Sequence, residues 1–122
     1  MWLELFLDMN GDRWYGEIPE YDDPTGHIEV YDVDWELHDI LLEQFAYPIN
    51  EVCGTCLDDG DVDFFDKEQC VKLAGWLEGR LAGELDPRLR EPYEKLLEYA
   101  RRAIELGTGV AVEMKVRERR RP

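Results

Sequence analysis

One stretch of this sequence has the spacing of conventional metal or redox chemistry: Cys53-Gly54-Thr55-Cys56. A structural zinc site needs four ligands, commonly supplied by two such knuckles. The third cysteine, Cys70, falls on the apolar stripe of a predicted helix, and completing a set with His38 or Asp58 matches no ribbon or finger spacing. A reactive Cys-x-x-Cys pair needs a cation or a helix N-terminus to stabilise its thiolate. Here Glu51, Asp58, Asp59 and Asp61 surround the pair and work against that charge. Cys53 and Cys56 are therefore the metal candidates to test, and no cofactor is expected.

Other catalytic arrangements fail on residue type. The chain contains no serine, which excludes a serine nucleophile, and it has no glycine-rich phosphate loop and no HExxH. Its imidazoles are His27 and His38, placed where solvated histidines are common. The ladders Asp59/Asp61/Asp63 and Asp8/Asn10/Asp12 both lack the glycine at position six and the glutamate at position twelve of a calcium loop. Clustered carboxylates keep an acid-pair enzyme open as the alternative reading. The expectation is a protein that is not an enzyme.

Charge is the stronger signal. Residues 1–66 carry nineteen Asp and Glu against one basic side chain, Arg13, whereas residues 67–122 carry ten against thirteen, so regional charges of −18 and +3 make the formal net charge of −15. An acidic bias shared by a whole proteome would spread evenly, and this one does not. Such a field repels phosphate, so nucleic acid is excluded as a partner of the acidic half. It attracts a basic protein and speeds its encounter. Aromatic side chains interleave with the acids: Trp14, Tyr15, Tyr21, Tyr31 and Trp35 alternate with Asp12, Glu17, Asp22, Asp23, Asp32 and Asp34. Carboxylates to steer and rings to anchor are the parts of a docking face. The expectation is a small binding or inhibitor protein whose partner is a basic macromolecule, such as a toxin or a nucleic-acid enzyme. Immunity proteins and antitoxins work by the same physics. A rival is homo-oligomerisation, with the acidic half of one copy meeting the basic end of another.

The elements that must position these residues are legible in outline. Leu3, Leu5 and Leu7 alternate with Trp2, Glu4 and Phe6, the period of a strand. Asn10-Gly11 suits a hairpin turn, followed by a return strand over 13–18, a turn over 22–26 and a third strand over 27–33 with Ile28 and Val30 inward. Asp34 caps a first helix predicted over 35–46 and stopped by Pro48. Residues 49–65 hold a loop and a short strand at 62–65. Asp66 and Gln69 form a capping box for a helix reaching about Leu85. Gly75, Gly79 and Gly83 on that helix imply a neighbouring helix in close approach. One turn from Pro87 precedes a helix over 92–106 capped by Gly107, and a last strand covers 110–116.

The order implies an α+β domain over 1–116, a mainly antiparallel sheet of four to six strands with three helices packed on one face, and a basic tail over 117–122. That tail, Arg117 to Arg121, is short enough to be simply solvated. The start of the chain lacks a basic n-region, and its apolar run is broken at Glu4. No secretory signal, no membrane span and a cytoplasmic location are therefore expected.

Overall fold

The computed structural model describes residues 1–8 and 27–115. The predicted hairpin at Asn10-Gly11, the return strand and the turn over 22–26 lie outside these residues, as does the tail. Four strands, β1 (Trp2–Phe6), β2 (Ile28–Asp32), β3 (Val62–Phe65) and β4 (Val110–Glu113), form one antiparallel sheet in the order β2-β1-β4-β3. The strands nearest the two ends of the chain, β1 and β4, thus lie side by side at its centre, with Leu3 opposite Val112 and Leu5 opposite Val110.

Alternation decides which side chains meet the helices. Leu3, Leu5, Phe65, Val110 and Val112 share one face and merge with the helical core, where all five are fully buried. Phe6, Ile28 and Ala111 form a separate cluster on the opposite face, with Val30 and Phe64 packed against it. Ile28 and Val30 therefore do not point towards the helices as expected. β2 pairs Leu5 with Glu29 and Leu3 with Tyr31, so Glu29 and Tyr31 occupy the helical side. Both are held there by the third helix. Arg102 donates to the two oxygens of Glu29 at 2.8 and 3.2 Å, and the Tyr31 hydroxyl donates to Glu91 at 2.9 Å.

The first helix, α1, is longer than its sequence pattern suggests. It runs without a break over 35–53, as a 3₁₀ turn (Trp35–Leu37), an α turn (His38–Leu41), a π turn (Leu42–Ala46) and a further α segment (Tyr47–Cys53). Pro48 does not stop it. Proline lacks the N–H that would serve the carbonyl of Gln44 four residues earlier. The π turn shifts the hydrogen bonding, so that the Tyr47 N–H reaches back to Leu42. Chain reversal comes instead at Gly54, whose φ of 72° places it in the left-handed region.

The second helix, α2 (Lys67–Ala82), opens with the expected capping box: the Asp66 carboxylate accepts from the Gln69 N–H at 2.8 Å, and the Gln69 side chain accepts from the Asp66 N–H at 2.9 Å. Its glycines do not serve a close helix contact. A Cβ added at Gly75 or Gly79 would meet nothing within 4 Å, because both lie on the outer face. The inner face, with Leu73, Ala74 and Leu77, packs against α3 (Pro87–Leu106). α3 is continuous; the buried Pro92 sits on its inner side and does not divide it. No helix among the described residues is long and apolar enough to cross a membrane.

Candidate docking surface

The outer face of α1 is built by the same arithmetic as its inner face. Leu41, Phe45, Ile49 and Cys53 recur every four residues and are buried. Offset from them by two positions, Asp39, Glu43, Tyr47 and Glu51 recur at the same interval and are exposed. The π turn, with more residues per turn than an α-helix, helps to keep four-residue spacing in line. Trp35 continues the outer stripe and is 53% exposed; Tyr47 is 48% exposed. Residues 35–53 include no Lys or Arg.

A second acidic element is fastened beside this stripe. The turn at Asp58, Asp59, Gly60 and Asp61 follows the Cys-x-x-Cys loop, and two side chains of α1 hold it. The Tyr47 hydroxyl donates to Asp58 Oδ1 at 2.8 Å, and His38 Nε2 lies 2.8 Å from Asp59 Oδ1. His38 is buried, so this anchor is fixed from below the surface. The hydrogen bond from Tyr47 and, first, the Asp59 backbone N–H hold the Asp58 carboxyl below its usual range; the same bond raises the Tyr47 phenol. Among the described residues, no lysine or arginine forms an ion pair with Asp34, Glu36, Asp39, Glu43, Glu51, Asp58, Asp59 or Asp61.

The stripe borders a cleft at the N-terminal end of α1. It has a volume of about 580 Å³ and is lined by Tyr31, Asp32, Asp34, Glu36, Glu91 and Arg88, among others. Arg88 is committed elsewhere: its guanidinium makes two hydrogen bonds to Asp86, at 2.8 and 3.1 Å. The cleft is thus lined by four carboxylates, of which Asp32 also faces the N-terminal ammonium, and by one arginine that is already paired.

These placements sort the residues expected to bind. Asp12, Trp14, Tyr15, Glu17, Tyr21, Asp22 and Asp23 lie outside the described residues. Tyr31, Asp32 and Asp34 converge on the cleft, with Trp35 next in sequence on the outer stripe. Asp34 also caps α1, accepting from the Glu36 N–H at 3.0 Å. Tyr31 is half-buried beneath the Lys95 ammonium, which lies 5.5 Å from its ring centroid, and serves as a tie between β2 and α3. Asp39, Glu43, Tyr47, Glu51 and the 58–61 turn were missed as part of a surface. The legible signal for them was the lack of any Lys or Arg between Arg13 and Lys67.

The two metal candidates lie in different environments. Cys53 is buried, with its thiol directed at the Gln69 carbonyl 3.6 Å away, whereas Cys56 is exposed. Burial pushes the Cys53 thiol up to about 11 and that of Cys70 to about 12, which disfavours the thiolate a metal requires. Asn50 orders the loop between them: its amide donates to the Leu57 carbonyl at 2.8 Å, and its oxygen accepts from Thr55 and the Leu57 N–H. No group of three or more His, Cys, Asp or Glu side chains among the described residues is arranged to hold a metal ion.

No family model matches this chain, and no curated protein or solved structure matches it either.

Proposed function

We propose that the protein binds and neutralises a basic protein through the outer face of α1, the 58–61 turn and the adjoining acidic cleft. The observation that carries this reading is the pair of clamps from Tyr47 to Asp58 and from His38 to Asp59. They draw carboxylates distant in sequence onto one surface where, among the described residues, no lysine or arginine pairs with them. Carboxylates of this kind accelerate encounter with a cationic surface. Trp35 and Tyr47 supply rigid apolar area for the docked state, as aromatic anchors do at protein interfaces. A lysine or arginine of the partner enters the cleft beside Asp34 and Glu36. The function is that of an inhibitor: the partner's own cationic site, of the sort used to grip nucleic acid, is the surface covered.

The test is affinity capture from the host cell extract at low and high salt, with the wild-type chain and the triple variant Asp39→Lys, Glu43→Lys, Glu51→Lys side by side. All three positions are exposed, so the variant retains the core. The expected result is a basic protein held by the wild type at low salt, released at high salt, and absent from the variant. Retention of the same proteins by both chains at equal salt contradicts the proposal.

A further inference from the structure

Two arginines meet at the junction of α2 and α3. There a cleft of about 570 Å³ is lined by Gln44, Arg80, Glu84, Leu85, Asp86 and Arg90, among others. Among the described residues, neither arginine has a carboxylate within ion-pair distance. Arg101, Arg102 and Arg88, by contrast, are paired with Glu78, Glu29 and Asp86.

Each guanidinium carries five N–H donors. Arg80 uses one in a long contact of 3.4 Å to the Gln44 side-chain oxygen, and its Nε is buried with no acceptor. Arg90 reaches the Leu81 carbonyl, also at 3.4 Å. The Trp76 ring, 5.6 Å from the Arg80 guanidinium carbon, gives that side chain a fixed platform. Two guanidinium groups that share one cleft and find few acceptors within the protein can receive an oxyanion.

The local charge fixes which oxyanion. Asp86 belongs to Arg88, and Glu84 offsets one of the two remaining arginines, so the cleft is left with a single positive charge to be answered. A phosphate dianion would overfill it and meet Glu84. We infer that this cleft binds a small molecule bearing one carboxylate, held by Arg80 and Arg90, with its apolar body against Leu85. Planar guanidinium groups match a carboxylate by paired N–H donors. The site is separate from the docking face of α1 and does not depend on that reading.

The experiment follows the Nε–H resonances of the arginines by NMR while benzoate is added at constant ionic strength, with benzamide and inorganic phosphate as parallel probes. Benzoate is expected to shift the Arg80 and Arg90 signals saturably, leaving the Arg101 signal in place. Benzamide should produce no such shift, and phosphate should bind more weakly. Arg90→Gln, a change at an exposed position, should weaken benzoate by about tenfold while the amide spectrum stays folded. Arg80→Gln should do the same. The inference is overturned if benzoate shifts neither signal saturably, if benzamide or phosphate binds as well as benzoate, or if Arg90→Gln leaves the affinity unchanged.

Discussion

The Tyr93 hydroxyl of α3 donates to the backbone carbonyl of Gln44 at 3.3 Å, the carbonyl that Pro48 cannot serve. This contact helps α1 to continue past a proline, and the continuation sets Tyr47 and Glu51 on the same face as Asp39 and Glu43. Replacing Tyr93 with Phe keeps the ring and removes the donor. The expected loss is about 1 kcal/mol of unfolding free energy, the net contribution of one hydrogen bond. Denaturant titration measures it; an unchanged midpoint would mean that water serves Gln44 equally well.

Glu29 and Arg102 tie the edge strand β2 to α3. The arginine hydrogen bond holds the Glu29 carboxyl below its ordinary range. A carboxyl depressed by folding stabilises the protein above its unfolded-state value, and that contribution disappears as the pH falls through the folded-state value. Because the pair is partly exposed, the coupling is at most about 1 kcal/mol. NMR titration of the Glu29 side chain should give a depressed midpoint that returns to the ordinary range in Arg102→Met. A midpoint indifferent to that substitution would show the pair to be loose in solution.

Glycines separate by position. Gly75 and Gly79 face outward in α2, so changing either to Ala should stabilise the protein by about 0.5–1 kcal/mol through helix propensity. Gly109 is the reverse case: a Cβ there would collide with the Phe64 ring and the Phe65 carbonyl. Gly109→Ala should therefore destabilise. Thermal unfolding of the three variants settles the signs, and a destabilised Gly79→Ala would reveal a contact on the outer face of α2.

The thiols should differ sharply in reactivity. In the native protein an alkylating reagent should modify Cys56 quickly and leave Cys53 and Cys70 intact, since both are buried and their thiols are pushed up. All three should react in denaturant. Mass spectrometry counts the adducts, and rapid native labelling of Cys53 would show that the end of α1 opens.

Local chemistry carried most of the fold into the sequence. The capping box at Asp66 and Gln69, the Asp34 cap, the alternation of β1 and the left-handed Gly107 all depend on near neighbours, and all were legible. What was hidden depended on distant partners. Pro48 reads as a helix stop until Tyr93, which lies on another helix, supplies the missing donor. Ile28 and Val30 read as inward residues, and Ile28 is buried, but pairing with β1 puts them on the face away from the helices and brings in Glu29 and Tyr31, whose polar ends need Arg102 and Glu91. The acidic bias of the first half was plain from composition. Which carboxylates share a surface was not, because the clamps at Asp58 and Asp59 come from residues 11 and 21 positions away.

Docking through α1 depends on where the negative potential lies. Paramagnetic relaxation of backbone amides by a cationic and an anionic nitroxide gives that potential residue by residue. Its most negative values should run along Asp39, Glu43, Tyr47 and Glu51 and over the 58–61 turn, with much weaker values around Arg80 and Arg90. A potential of equal depth over both regions would contradict docking through α1.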